Sequence, residues 1–158
     1  MGCSMEWSTR TRRQEERFPL RGAACVAEPD EDERDEMALA LRRMGFSTHE
    51  TGSGAAASFI AANIRLDVML IKLVLPDANG LQLIRQFRRA RPDLCIIALA
   101  PGGPAHAPVF DELARFAGAD AALATPASTE AICEAISSLV PLHPPPAHSG
   151  QGAAYVAP

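Results

Sequence analysis

Three stretches of this chain carry side chains suited to chemistry. In the first, the acids Glu28, Asp30, Glu31, Asp32, Glu33, Asp35 and Glu36 crowd into one short segment. Carboxylates at that density can bind a hard, oxygen-seeking cation, pair with an ammonium, or meet a partner's basic patch. The second is Lys72, which closes the apolar run DVMLIK and is the only lysine in the chain. An ammonium there either reaches solvent along its own apolar stem or offsets a carboxylate. The third is Arg85, Arg88, Arg89 and Arg91, a basic cluster at the end of an amphipathic segment. No aromatic residues interleave it, so it reads as a solvated face rather than a nucleic-acid site.

Other chemistries find no residues to carry them. Cys3, Cys25, Cys95 and Cys133 form no CxxC pair, and no histidine stands near them at ligand spacing. His49, His106, His143 and His148 show no ligand spacing either, so no metal centre and no cofactor are expected. Cys25 and Cys95 lie in apolar runs and read as small core residues in a reducing, cytoplasmic setting. The loop around Gly102-Gly103 lacks the signature of a phosphate cradle. A net charge of -4 argues against a strongly basic nucleic-acid binder. No apolar stretch reaches the roughly 18–20 residues of a membrane span, and no signal peptide is evident. Met1-Gly2-Cys3 opens like an acylation site, but Glu6 stands where that pattern wants Ser or Thr.

The elements that must position these residues follow a regular rhythm between two polar ends. Residues 1–20 read as a flexible N-terminal tail, and 142–158, rich in Pro, Gly and Ala, as a disordered one. Between them, 21–141 alternate apolar runs with amphipathic segments. The runs are Ala23–Ala27, Phe46–Thr51, Asp67–Lys72, Leu94–Ala100 and Asp120–Ala124. The amphipathic segments are marked by Met37, Leu39, Ala40, Leu41 and Met44; by Ala55–Ile64 behind a Ser53 cap; by Leu81, Leu83, Ile84 and Phe87; by Val109, Phe110, Leu113 and Phe116; and by Ile132, Ile136, Leu139 and Val140 behind a Ser128 cap. Near-continuous apolar strands imply burial on both faces, hence a parallel sheet between helix layers. The expected fold is α/β: a flavodoxin-like, doubly wound (βα)5 sheet in the order 2-1-3-4-5. Its switch point falls between strands 1 and 3, which places Lys72 beside Glu28, with Asp30 or Glu31 close by.

The chain resembles the receiver domains of bacterial response regulators over about residues 21–141. The resemblance rests on VAEPDEDE after strand 1, LVLPDANGLQLI after strand 3, FAGAD before strand 5, and Thr125-Pro126 after it. It implies phosphoryl transfer to an aspartate ending strand 3, aided by Mg²⁺ on two acids after strand 1, a hydroxyl ending strand 4 and a lysine ending strand 5. Glu28 matches the first metal-binding acid. Pro29 falls on the second, Lys72 on the phosphoacceptor, Ala100 on the hydroxyl, Thr125 on the lysine and Ala122 on an aromatic switch position. A one-residue shift would bring Asp30 into the acidic pocket, whereas Asp77 lies beyond Pro76 in the turn. The scaffold residues Pro76, Gly80, Gly118 and Pro126 still match.

What the resemblance implies is a pseudo-receiver that is not an enzyme, with Lys72 as a built-in cation in place of a metal. With no output domain after residue 141, it would be a stand-alone protein that binds another signalling protein (a kinase, regulator or effector), and a homodimer is compatible with this. The face expected to meet partners is helix 4, strand 5 and helix 5, with Val109, Phe110, Leu113, Phe116, Ala121 and Ala122 as candidates, most of them expected in the core. The rival is a small ligand-binding protein or enzyme on the same fold. It would need a phosphate loop after strand 1, where EPDEDE repels phosphate instead.

Overall fold

Strands without polar interruption and helices with one apolar stripe can bury themselves only in layers, and the chain forms three. The computed structural model describes residues 21–103 and 105–140. The two expected tails lie outside the described residues, as do Cys3, His143 and His148. The order is β1 (Ala23–Ala27), α1 (Glu31–Arg43), β2 (Ser47–Thr51), α2 (Gly54–Asn63), β3 (Val68–Lys72), α3 (Gly80–Ala90), β4 (Cys95–Ala100), α4 (Ala107–Ala117), β5 (Ala121–Ala124) and α5 (Thr129–Leu139). The strands form one parallel sheet in the order β2-β1-β3-β4-β5, the doubly wound topology expected.

Side chains of a strand alternate between faces, and the core divides accordingly. Ala24, Val26, Val68, Leu70, Ile97 and Leu99 meet Met37 and Leu41 of α1 and Ile132 and Ile136 of α5. Cys25, Ala27, Met69, Ile71, Ile96 and Ala98 meet Ala57 of α2, Ile84 and Phe87 of α3, and Ala114 and Ala117 of α4. Burying one such large aliphatic side chain contributes about 1.5–3 kcal/mol. The thiols of Cys25 and Cys95 sit in these layers. Burial pushes them up to about 12 and about 11, so both are inert at neutral pH.

Two helices depart from the sequence expectation. Leu39 of α1 is exposed, because Met37, Ala38, Ala40 and Leu41 already fill the buried face of that helix. In α4 the small residues Ala114 and Ala117 face the sheet, Phe110 is half-buried against it, and Val109, Leu113 and Phe116 stand in solvent. An apolar stripe marks the α4 helix correctly but not its buried side.

Two of the four arginines in the cluster, Arg88 and Arg91, are structural. Arg88 donates to the carbonyls of Gly118, Pro92 and Leu94 and to Asp120 at 2.7–2.8 Å, and Asp120 also accepts the Ile96 N–H at 2.8 Å. Arg91 donates to the Leu66 carbonyl and pairs with Asp93. These bonds tie down the edge of the sheet where β4 and β5 begin.

At the opposite edge α3 begins hard against the end of β3. Asn79 caps it through the N–H groups of Leu81 and Gln82, and the Gly80 N–H donates to the Leu73 carbonyl at 2.9 Å. A Cβ at Gly80 would lie 2.3 Å from the Lys72 carbonyl oxygen and 2.7 Å from Leu73 Cα. Backbone must therefore move if the residue is enlarged. The expected result for Gly80→Ala is a loss of about 2–3 kcal/mol, the scale of overpacking at a closed site, read as a lowered urea midpoint at unchanged slope.

Candidate functional site

The site is set by strand register. Ala27 of β1 stands opposite Ile71 of β3, so the next residues, Glu28 and Lys72, leave the sheet side by side. Lys72 Nζ lies 2.9 Å from Glu28 Oε2 and 3.4 Å from Glu33 Oε2. The Glu28 side chain is 1% exposed and that of Lys72 15%, so the pair is shielded from water. A carboxylate that buried needs partners on both of its oxygens. Glu28 Oε1 accepts the Asp30 N–H at 3.0 Å. The Glu28 backbone is fixed as well: its carbonyl accepts from Arg34 Nη1 and its N–H donates to the Thr51 carbonyl.

Asp30, expected near the ammonium, is turned to another task. Its Oδ1 accepts the Glu33 N–H at 2.9 Å and caps α1. Glu31 is exposed in the first turn. The second carboxylate on Lys72 is Glu33, which sequence reasoning missed. Its signal was present: Asp30-x-x-Glu33 has capping-box spacing, in which the glutamate reaches back to the N-cap N–H. Glu28 takes that N–H instead, and Glu33 is left free to reach Lys72.

Pro29 is half-buried between Glu28 and the cap. Ala100 and Thr125 meet at the ends of β4 and β5, where the Thr125 hydroxyl and N–H both donate to the Ala100 carbonyl, at 3.1 and 2.9 Å. Pro126 follows through a cis peptide bond and is exposed. No hydrogen bond among the described residues joins this pair to Lys72, whose side chain turns toward β1 and α1. The structure thus assembles Glu28, Lys72 and Glu33, and leaves Ala100 and Thr125 as a separate hydrogen-bonded closure.

Asp77 is also committed. From the loop before α3 it accepts the N–H groups of Gly54 and Ala55, at 2.7 and 2.9 Å, while Ser53 takes that of Ala56. The first-turn donors of α2 are thereby satisfied by two side chains from different segments.

A family model for the response regulator receiver domain matches residues 24–137. The chain belongs to the receiver domain family. It is 35% identical over 75 residues to the DNA-binding transcriptional regulator NtrC of Azospirillum brasilense, covering 48% of this chain and 16% of that protein. It is 31% identical over 105 residues to the probable transcriptional regulatory protein TcrX of Mycobacterium tuberculosis, covering 66% and 43%. The receiver thus spans less than half the length of either relative. Among solved structures, chemotaxis response regulator CheY4 of Vibrio cholerae superimposes with a TM-score of 0.68 at 17% identity, covering 77% of this chain and all of that one. A response regulator of Burkholderia pseudomallei, solved with a phosphorylated aspartic acid, calcium ion and citrate, gives 0.64 at 26% identity, covering 75% and 66%. Receivers are components of two-component signalling rather than typical enzymes. No helix among the described residues is long and apolar enough to cross a membrane.

On the α4–β5–α5 side of the receiver, Val109 is 62%, Leu113 44% and Phe116 82% exposed. Phe110, Ala121 and Ala122 are half-buried. The core placement expected for most of this set does not hold, because alanines make the helix-to-sheet contact.

Two outcomes follow from this geometry. Lys72→Met keeps the stem and leaves Glu28 buried without its cation, so a loss of about 1–3 kcal/mol is expected. Glu28→Gln is expected to cost about as much and the double variant less than the sum, because one interaction is shared; urea titrations of the four proteins check this. Asp77 gives a pH signature. The Gly54 and Ala55 N–H groups hold its carboxyl below the usual carboxylate range. A depressed folded-state pKa contributes stability that is present above the unfolded value and is lost as pH falls through the folded one. The stability gap between the native chain and Asp77→Asn should therefore be widest near neutrality and shrink below about pH 4, as followed by melts across that range.

Proposed function

We propose that this receiver signals without aspartyl phosphorylation, acting by binding another signalling protein while Lys72 occupies the place of the acceptor. The observation that carries this reading is the ion-paired ammonium at the end of β3. The strand reads VMLIK and contains no aspartate, and an ammonium cannot form an acyl phosphate. Asp77, the next carboxylate along the chain, is held at the start of α2 by two backbone N–H groups. An acceptor must sit within close tolerance of the reacting phosphorus.

The residues present do not fit the Mg²⁺ that the family's reaction uses. A hard dication needs several oxygen ligands with free lone pairs. Both oxygens of Glu28 are already engaged, one by Lys72 and one by the Asp30 N–H, Pro29 offers no side-chain oxygen, and Lys72 brings positive charge to the spot a metal would take. In this reading Lys72 fixes the charge balance that metal and phosphate set in a phosphorylatable receiver, so the binding surface holds one state. The partner would be a kinase, regulator or effector, met on the side formed by α4, β5 and α5. Val109, Leu113 and Phe116 supply its apolar contacts and Ala121 and Ala122 its edge.

Incubation with acetyl phosphate and Mg²⁺, followed by intact-mass measurement, tests the reading. No species heavier by about 80 Da, one phosphoryl group, is expected, and millimolar Mg²⁺ is expected to leave the melting temperature unchanged, since a bound metal would raise it. A base-labile, acid-stable phosphorylated species would overturn the proposal. So would a Mg²⁺-dependent stabilisation that disappears in Glu28→Gln.

A further inference from the structure

At the end of the sheet where the strands begin, α2 and α3 leave a cleft of about 220 Å³ between them. Ala61 and Ala62 of α2 form one wall and Ala90 of α3 the other, over a floor of Leu66, Phe87 and Leu94. The cleft exists because its walls are alanines, too small to bridge two helices, while the three floor residues are committed to the core. Protein interiors pack to the density of organic crystals, and an apolar wall facing a gap forfeits the dispersion contacts that a filling group would make. The opening therefore suits a hydrocarbon. Its size limits which one. Sites for drug-sized ligands run to roughly 300–1,000 Å³, so this one takes a single ring or a short branched chain.

Charge narrows the ligand further. Ser58 and Gln86 are neutral polar residues of the lining, and Arg91 is its charged one. The Arg91 guanidinium is held in place. Nη2 donates to the Leu66 carbonyl at 3.0 Å, and Nε and Nη2 donate to Asp93 at 3.2 and 3.4 Å. Nη1 has no partner among the described residues. A guanidinium already ordered by other bonds loses little freedom when it takes one more. Asp93 is shared with Arg65, 3.9 Å away and 82% exposed, so two guanidiniums stand beside one carboxylate. Asp67, next to Leu66 in the chain, takes the Ala23 N–H instead. We propose that the α2–α3 cleft binds a small apolar carboxylate of about the size of benzoate, its hydrocarbon between the alanine walls and its carboxylate on Arg91 Nη1. Charge-assisted bonds are stronger than neutral ones, so the acid is preferred to its neutral amide. Leu66 precedes the strand that Lys72 closes, so the cleft and the ion pair lie at opposite ends of β3. The outcome is thus independent of whether the chain accepts phosphate.

Titration of the full ¹⁵N-labelled chain with benzoate at constant ionic strength tests this. Backbone amide signals of residues 58–66 and 86–94 are expected to shift saturably, while those of Glu28, Glu33 and Lys72 stay in place. A dissociation constant of about 1 mM is expected, weak because the ligand is small and the site open to water. Benzamide is expected to bind about ten-fold more weakly or worse, and acetate, which lacks the hydrocarbon, to cause no saturable shift. Ala62→Leu fills the cleft from an exposed helix position and is expected to abolish the response. Should that variant lose its fold by circular dichroism, Ala90→Leu fills the cleft from the other wall, where it is exposed as well. Shifts that never saturate, or that persist in a folded variant with the cleft filled, overturn the proposal. Equal binding of benzoate and benzamide does the same, because Arg91 would then take no part.

Discussion

A carboxylate as deeply buried as Glu28 must be neutralised where it stands, and the local architecture at the end of the sheet follows from that requirement. Parallel pairing of β1 with β3 brings Lys72 to it as the next residue beyond the ladder. The Asp30 N–H takes the second oxygen, which fixes the entry to α1, and Arg34 holds the carbonyl behind it. Replacing any one of these groups leaves an unmatched partner in a region of low dielectric, where such a partner is most unfavourable. Electrostatics here constrains the chain path of three segments at once.

Neighbouring segments complete that edge by the same accounting of backbone groups. Asp77 serves α2 from a distance of more than twenty residues in sequence, Asn79 serves α3, and Thr125 closes on the Ala100 carbonyl. Acids and amides in these loops therefore face helix starts. Side chains that sequence alone could assign to chemistry are thus spoken for by helix termini, which are themselves attractive to negative charge. Lys72, paired with Glu28 and Glu33, stands apart from that capping work.

The architecture and the central pair were legible because both depend on short-range patterns that topology then amplifies. Apolar runs of Ala23–Ala27 and Leu94–Ala100 type fix strands buried on both faces, and the switch point of a doubly wound sheet puts Glu28 beside Lys72. Glu33 was not legible as the second partner, since its role depends on Glu28 taking the N–H that a capping box would give to Glu33. The exposed stripe of α4 was misplaced for a different reason. Periodicity reports that Val109, Leu113 and Phe116 share a face, but the small volumes of Ala114 and Ala117 decide which face can approach the sheet, and hydrophobicity says nothing of volume. The bonds of Asp77 to Gly54 and Ala55 were not legible either, since they join loops that no local pattern connects.

That Lys72 is the only lysine has a practical meaning for anyone handling this protein. Every other basic side chain of the chain apart from the histidines is a guanidinium, which ordinary acylating reagents leave untouched at neutral pH. Apart from the α-amino group, an amine-directed label therefore has one address, and that address lies inside the ion-paired pocket. The extent of labelling becomes a direct gauge of how often Glu28 and Glu33 let go of the ammonium, a local opening equilibrium read from a single peptide by mass spectrometry.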